Sequence, residues 1–161
     1  MNFNLYFHKL RWISVALAIV IIDLSSKEWI IHHMLLHQSV SIIPCLNLYH
    51  TQNLGAAFSF LSSQSGWQRW LLSGVTSILV IILLVKIHFN YTNDKINNFF
   101  YTLIVGGALG NLYDRMCRGF VIDFIDFHIN TWHFATFNIA DSAICMGSVL
   151  IILSKIIKHY K

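Results

Sequence analysis

Two short polar stripes in this sequence have the residue types and the spacing to do chemistry. Each stripe places an amide at position i, a carboxylate at i+3 and a further polar side chain at i+4. Positions with this spacing share one face of a helix. The stripes are Asn111, Asp114 and Arg115, and Asn138, Asp141 and Ser142. Both lie at an end of a long apolar run, where an acidic residue is costly and is therefore a functional candidate. We expect the two stripes to meet at the same depth.

Asp141 is the stronger candidate for chemistry within these stripes. A role as N-terminal helix cap explains Asn138, but it does not explain an acidic residue one turn deeper. The positive end of the helix dipole favours the carboxylate of Asp141 at that position. Ser142 follows directly, yet no histidine is predicted beside it, so a serine nucleophile is not favoured. In the other stripe we interpret Asp114, next to Arg115, as part of an orienting ion pair.

Residues outside the stripes could support such a site. Asp23 and Lys27 are four residues apart on a predicted helix and can pair on one face. A supporting role and a simple snorkelling pair at a helix end stay open for them. Asn53 could orient a peptide group, and Gly55 would let a backbone or a ligand approach closely.

The composition indicates that lipid, not water, surrounds most of this chain. It has 161 residues, of which 56% are hydrophobic and only 11% are charged, whereas ordinary soluble domains have about 25% charged residues. The formal net charge of +4 is spread over short segments between apolar runs. A nucleic-acid surface would need clustered Lys and Arg, so no nucleic-acid partner is expected.

Four apolar runs are long enough to cross a membrane, which takes about 20 residues of helix. The predicted spans are about 12–29, 67–85, 99–116 and 137–157. Basic residues precede the first span, lie between the second and third, and follow the fourth, which predicts that both termini are cytoplasmic. Six of the seven acidic residues then lie in the outer half. We therefore predict an all-α membrane protein with four transmembrane helices and its chemistry at the outer face.

The outer loops contain β-prone runs. Val40–Ile43 and Leu46–Tyr49 are short and separated by a turn signal, which predicts a small hairpin. Segment 121–129 is also extended in character and contains Asp123 and Asp126. Both could be solvated loop carboxylates, and we keep that interpretation for Asp126 only.

Small residues recur at four-residue spacing on the third and fourth predicted helices, which is typical of close helix packing. They are Gly106, Gly107 and Gly110, and Ala143 and Gly147. The three cysteines and nine histidines show no spacing typical of metal ligands or a disulfide framework. We predict neither a metal nor another cofactor.

Five ordered motifs resemble those of the lipoprotein signal peptidases (signal peptidase II), the bacterial membrane aspartic peptidases. The motifs are Asp23–Lys27, Asn53–Phe58, Gly106–Arg115, Val121–Phe124 and Phe137–Ser142. They cover nearly the whole chain, and their order makes them far more specific together than any one alone. The resemblance implies that Asp123 and Asp141 are the catalytic pair. It also implies pocket or supporting roles for Asp23, Lys27, Asn53, Gly107, Asn111, Arg115 and Asn138. Residue type and spacing add Gly55, Asp114 and Ser142 as supporting candidates.

The same resemblance implies a fold and a substrate. The fold is four transmembrane helices with a small external β-cradle and a short helix on the membrane surface. The expected substrate is a diacylglyceryl-modified prolipoprotein, cleaved on the amino side of the lipidated Cys, in a bacterial cytoplasmic (inner) membrane. We expect the enzyme to be a monomer in contact with membrane lipid.

Two other classes of function can be compared with this one. A small proton-coupled transporter could use Asp23, Lys27, Asp114 and Asp141 as a charge relay, but it predicts acidic residues at several depths of the bilayer. A structural subunit held by its glycine faces would not need paired carboxylates. The clustering of acids at one face favours the peptidase.

Overall fold

The computed structural model describes residues 3–55, 66–90 and 94–160, with side chains described from residue 11 onward except at residue 90. Four long helices, α1 to α4, make up most of it. They are α1 Phe3–His33, α2 Trp67–Asn90, α3 Lys95–Cys117 and α4 Ile139–His159. Each predicted span falls on one of them. The last helix begins after residue 137 because Asn138 is its cap, with a side-chain oxygen that accepts from the backbone N–H of Asp141.

Helix α3 lies at the centre and packs against the other three helices. It begins after Asp94, whose side chain accepts a hydrogen bond from the backbone N–H of Asn97. Its middle turns are buried and contain small or β-branched residues, which let neighbouring helices approach. An apolar core between the helices includes Trp12, Val80 and Val105.

Four antiparallel strands form a sheet at one end of the helices. They are β1 Ser39–Ile43, β2 Leu46–Asn53, β3 Val121–Ile129 and β4 Trp132–His133, in that order across the sheet. The predicted hairpin and the predicted extended segment are both confirmed. A second apolar cluster, which includes Ile30, Met34, Ile122 and Phe124, fixes β3 against the end of α1.

Among the described residues, two helices are long and apolar enough to cross a membrane by length and composition alone: Trp67–Phe89, with a mean hydropathy of 2.3, and Ile139–His159, with 1.8. Helices α1 and α3 are more polar, because α1 carries the Asp23/Lys27 pair and α3 carries several asparagines and the stripe that begins at Asn111. Within the described ranges no short surface helix accompanies the four long ones. Residues 56–58 of the second motif lie outside the described residues.

Candidate active site

Asp123 is held on β3 by amide groups from two other elements. The register of the sheet pairs Asn53 with Val121 and Thr51 with Asp123, so the Asn53 side chain reaches the carboxylate. Asn53 Nδ2 donates to Asp123 Oδ2 at 3.0 Å, and Asn138 Nδ2 donates to Oδ1 at 2.7 Å. The aspartate is only 2% exposed. Both oxygens therefore have fixed donors, and the side chain has one orientation.

Asp141 lies in the first turn of α4, as predicted. Asn111 Nδ2 of α3 donates to Asp141 Oδ1 at 2.7 Å, which confirms that the two polar stripes meet. The backbone N–H of Asp141 donates to Asn138 Oδ1 at 2.9 Å. Asn138 thus caps the helix with its oxygen and binds Asp123 with its nitrogen, so a single buried amide connects the two aspartates.

The two carboxyl groups line the same cavity, which has a volume of about 670 Å³. Its polar wall consists of Asn53, Asn111, Arg115, Asp123, Asp141 and Ser142. From there the cavity continues along α4 past Ile144, Met146 and Val149. The two carboxyl groups are therefore at one end of a groove whose remaining wall is mostly apolar.

The two aspartates differ in how strongly they are buried, and this affects their protonation. Burial, with a smaller contribution from the nearby negative charge of Asp141, raises the pKa of Asp123 from 3.8 to about 7. Hydrogen bonds from Asn53 and Asn138 oppose that rise only in part. Asp141 is less buried and lies in the first turn of α4. Near neutral pH, Asp123 can therefore keep its proton at the cavity.

Arg115 reaches the edge of the cavity from α3. Its Nη2 donates to the backbone oxygen of Gly55 at 3.2 Å, and its buried Nε has no hydrogen-bond partner among the described residues. The Gly55 N–H in turn donates to Asn53 Oδ1 at 2.9 Å. The guanidinium thus holds the backbone beside Asn53, and Arg115 lines the same cavity as Asp123 and Asp141.

Comparison with known proteins agrees with this arrangement. The sequence profile of the signal peptidase (SPase) II family matches residues 15–157. This protein belongs to the signal peptidase II family. A lipoprotein signal peptidase of Yersinia enterocolitica is 54% identical over 89% of this chain and 85% of its own, and one of Yersinia pestis is 51% identical over the same shares.

Two solved structures of bacterial membrane enzymes, determined in meso at 2.3 Å and 1.9 Å, also resemble this chain. The first has a TM-score of 0.79 and covers 91% of this chain and 87% of its own; the second has a TM-score of 0.75 and covers 89% and 91%. Both are 34% identical in sequence. This signal peptidase II protein therefore shares its fold with membrane enzymes, and its family is one of peptidases.

Three further residues of this signal peptidase II chain form a buried ionic network behind the aspartates. Lys27 Nζ lies 2.7 Å from Asp23 Oδ2 and 3.0 Å from Asp114 Oδ2, and all three side chains are fully buried. The interpretation of Asp23 and Lys27 as a snorkelling pair is therefore wrong, because the ammonium does not reach the surface. The predicted pairing of Asp114 with Arg115 is also wrong, since Asp114 pairs with Lys27 and Arg118.

Arg118 has a role that sequence reasoning missed. It pairs with Asp114 and with Glu28, which joins the end of α3 to α1. The spacing from Asp114 to Arg118 is i, i+4, so the sequence contained a signal for this pair. The contact also gives a structural reason for a basic residue at a position where the predicted orientation does not favour one.

Asp126 differs from its prediction as well. It is buried at 5% exposure and accepts hydrogen bonds from Asn47 Nδ2 at 2.9 Å and His133 Nδ1 at 2.8 Å. Burial alone would raise its pKa, but these hydrogen bonds from His133 and Asn47 lower it below 3.8. Asp126 is thus a structural carboxylate that joins β2, β3 and β4, and it does not line the cavity.

The remaining candidates have structural contacts. Ser142 Oγ donates to the backbone oxygen of Asn138 at 2.9 Å, within the first turn of α4. A side chain on Gly107 would meet the backbone oxygen of Ala140, so this glycine permits α3 and α4 to touch beside Asp141. Among the described residues no group of three or more His, Cys, Asp or Glu side chains could hold a metal.

Proposed function

We propose that this protein is a membrane aspartic endopeptidase that removes the signal peptide from diacylglyceryl-modified prolipoproteins. The observation that carries the proposal is the pair Asp123 and Asp141, which face one cavity with separate amide donors. Membership of the signal peptidase II family and the name of its relatives, lipoprotein signal peptidase, support the choice of substrate. The expected cut is on the amino side of the lipidated Cys.

In the proposed mechanism the ionised Asp141 acts as base and the protonated Asp123 acts as acid. Asp141 takes a proton from a water molecule, whose oxygen forms a bond with the scissile carbonyl carbon. Asp123 donates its proton to the developing oxyanion. The tetrahedral intermediate then collapses as the C–N bond breaks, and the proton held by Asp141 passes to the leaving amine. As the C=O bond re-forms, a hydroxyl proton of the intermediate returns to Asp123, which restores the starting state of both carboxyl groups. The dyad titrates as a coupled pair, so a rate profile reports both groups together.

Asn111 and Arg115 support these steps. Asn111 donates to Asp141, and an N–H donor suits a carboxylate better than a protonated carboxyl group. Arg115 lines the cavity beside both aspartates, so its positive charge can attract a substrate carbonyl oxygen there. Both groups would hold the scissile peptide in place while the two aspartates exchange protons.

We propose further that all four helices cross the membrane as one domain, with both termini in the cytoplasm and the cavity at the outer face of a bacterial inner membrane. The outward faces of the helices support this, because large apolar residues such as Ile13, Leu17, Ile78 and Ile152 are more than half exposed. In α1 and α3 the charged residues Lys27 and Asp114 point inward and are paired, as lipid requires.

The apolar part of the cavity fits a substrate that stays partly in lipid. Its wall along α4 includes Ile144, Met146 and Val149, below the level of Asp141. The signal helix and the acyl chains can remain against hydrocarbon there while the scissile bond lies beside the aspartates. The enzyme needs only one copy of this site, so we expect a functional monomer.

Cleavage of a synthetic peptide tests the proposed function. The purified protein in detergent should cut a diacylglyceryl-modified prolipoprotein peptide before its lipidated Cys, and should leave the unlipidated twin intact. Mass spectrometry of the products locates the cut. An intact lipidated peptide after incubation with folded protein, shown folded by its thermal transition, would reject the proposal. The charge-relay function would then be examined with a proton-flux assay in liposomes.

The raised pKa of Asp123 predicts a pH dependence of stability with a definite sign. A carboxyl group whose pKa rises from 3.8 to about 7 on folding binds its proton more tightly in the folded state. Its contribution to the free energy of unfolding is therefore fully present below about pH 4 and is lost as the pH rises through about 7. Thermal unfolding in detergent between pH 5 and pH 8 measures this trend. In Asp123→Asn the trend should weaken, and an unchanged slope would contradict the assignment to Asp123.

The same pKa predicts the alkaline limb of the activity profile. Because Asp123 must hold a proton to act as acid, kcat should fall as the pH rises above about 7. A kcat that stays level up to pH 9 would contradict this role for Asp123.

A further inference from the structure

The ammonium group of Lys27 is fully buried and has three polar partners from two helices. Its Nζ lies 2.7 Å from Asp23 Oδ2 on its own helix and 3.0 Å from Asp114 Oδ2 on α3. It also donates to Asn111 Oδ1 at 2.9 Å. The ammonium therefore makes two ion pairs with carboxylates and one hydrogen bond with an amide. With Arg118 on the other side of Asp114, the two carboxylates face two cations.

Two of these partners also bind the backbone directly before a proposed catalytic residue. Asp23 Oδ1 accepts from the N–H of Ala140, the residue before Asp141, at 2.9 Å. Asp114 Oδ2 accepts from the N–H of Ile122, the residue before Asp123, at 3.3 Å. One ammonium therefore anchors the chain next to both aspartates, through one carboxylate each.

The third partner fixes the direction of an amide. Asn111 Oδ1 accepts from Lys27 at 2.9 Å and from Asn138 Nδ2 at 3.3 Å, so its Nδ2 must point to the other side, where it donates to Asp141 Oδ1 at 2.7 Å. A half-turn of this amide would place its NH₂ against the ammonium and its oxygen against Asp141. The contact with the ammonium would then be mismatched, and so would the contact with Asp141 unless Asp141 held a proton.

We propose that Lys27 is a positioning residue, which sets the geometry of both aspartates and decides which of them carries the proton. This inference rests on the proposed function of Asp123 and Asp141. Lys27 itself does not line the cavity, so it acts through Asp23, Asp114 and Asn111 and does not touch the substrate.

A compensated variant separates this role from simple stability. Lys27→Met alone would leave two buried carboxylates without their cation, which is strongly destabilising. The triple variant Lys27→Met, Asp23→Asn, Asp114→Asn removes both charges as well. Each new amide oxygen can still accept from the backbone of Ala140 or Ile122, although the NH₂ group at position 114 then faces Arg118. Asn138 still donates to Asn111 Oδ1, so what the variant loses is the charged one of the two donors that orient Asn111.

We expect the triple variant to fold and to keep a KM close to that of the wild type, with kcat lower by about 100-fold, as for a small misplacement of catalytic groups. The matched control is Asp94→Asn with Lys158→Met, which removes an ion pair of 2.6 Å outside this network. That control should keep its kcat. A folded triple variant with wild-type kcat and KM would overturn the proposal.

A second measurement does not depend on activity. Infrared difference spectra at pH 6 detect the C=O band of a protonated carboxyl group. In the wild-type background, Asp123→Asn should remove one such band. In the triple-variant background the band should survive Asp123→Asn, because the turned Asn111 amide favours a proton on Asp141. If the band disappears there too, Lys27 does not control the proton's place. The spectra are recorded without substrate, so they test the role of Lys27 even if the lipidated peptide is not cleaved.

Discussion

Replacing either Asp123 or Asp141 by asparagine is expected to lower kcat on a lipidated peptide by about 1,000-fold or more. Loss of a positioned acid or base typically costs 10²-fold to 10⁴-fold. The substitution keeps the size of the side chain. The oxygen of the new amide can still accept from Asn138 or Asn111. In Asp123→Asn the new NH₂ group then faces the Asn53 donor, so thermal unfolding in detergent must show that the variant is folded. Because the two groups act as a unit, the double variant should be little slower than either single one.

Asp126→Asn is the matched control for this prediction. Asp126 lies on the same strand, three residues after Asp123, and is also buried and hydrogen-bonded by side chains. It does not line the cavity. We expect its variant to keep kcat within a few-fold of the wild type. Initial rates with both variants and the control, at saturating peptide, are the measurement. Turnover near the wild-type rate in either Asp123→Asn or Asp141→Asn would reject the dyad.

The meeting of the two polar stripes could be predicted from spacing alone. Asn111 and Asp141 each lie on the polar face of a helix, and the structure joins them by a hydrogen bond of 2.7 Å. The contact between Asn53 and Asp123 could not be derived in this way. It depends on the register of β2 against β3, which contains an irregularity between Leu48 and Thr51. Local sequence does not determine where such an irregularity falls.

The burial of Lys27 was also beyond sequence reasoning. An i, i+4 ion pair looks the same whether it faces water, lipid headgroups or another helix. What decides its burial is the approach of α3, where the absence of a side chain at Gly110 leaves room for the Asp23 carboxylate. The spacing of the glycines predicts close packing, but it does not say which neighbour each glycine faces. In the structure Gly106 and Gly110 contact α1, and Gly107 contacts α4.

The mean hydropathy of a helix likewise does not show which of its polar residues are buried against protein. A criterion of length and composition finds α2 and α4 only, although the charge distribution and apolar run lengths predict four spans. Helix α3 contains Asn97, Asn98, Asn111 and Asp114, all of which are buried against protein. Polar residues that are satisfied inside a bundle lower the mean hydropathy without meeting lipid. The central helix is therefore the one that composition describes least well.

Gly107→Ala and Gly110→Ala are expected to lower both stability and activity, because a methyl group has no room at either position. At Gly107 it would meet the backbone oxygen of Ala140, and at Gly110 it would meet the carboxylate of Asp23. A backbone atom cannot rotate away, so α3 and α4 must separate next to Asp141. Such overpacking typically costs about 1–3 kcal/mol. A displacement of the catalytic groups by about 1 Å can cost about 100-fold in rate.

Gly74→Ala is the matched control, since a methyl group there would have no neighbour within 4 Å. Gly74 lies inside α2, where alanine removes the backbone entropy cost of glycine, so this variant should be as stable as the wild type or up to about 1 kcal/mol more stable. The measurements are thermal unfolding in detergent and kcat on the lipidated peptide, made on all three variants and the wild type. Because Gly107 contacts α4 directly and Gly110 acts through the Asp23 pair, kcat should fall in both variants while Gly74→Ala keeps its rate. Wild-type stability and rate in Gly107→Ala would show that α3 and α4 can move apart without disturbing Asp141, and the close helix contact would then have no part in holding the site.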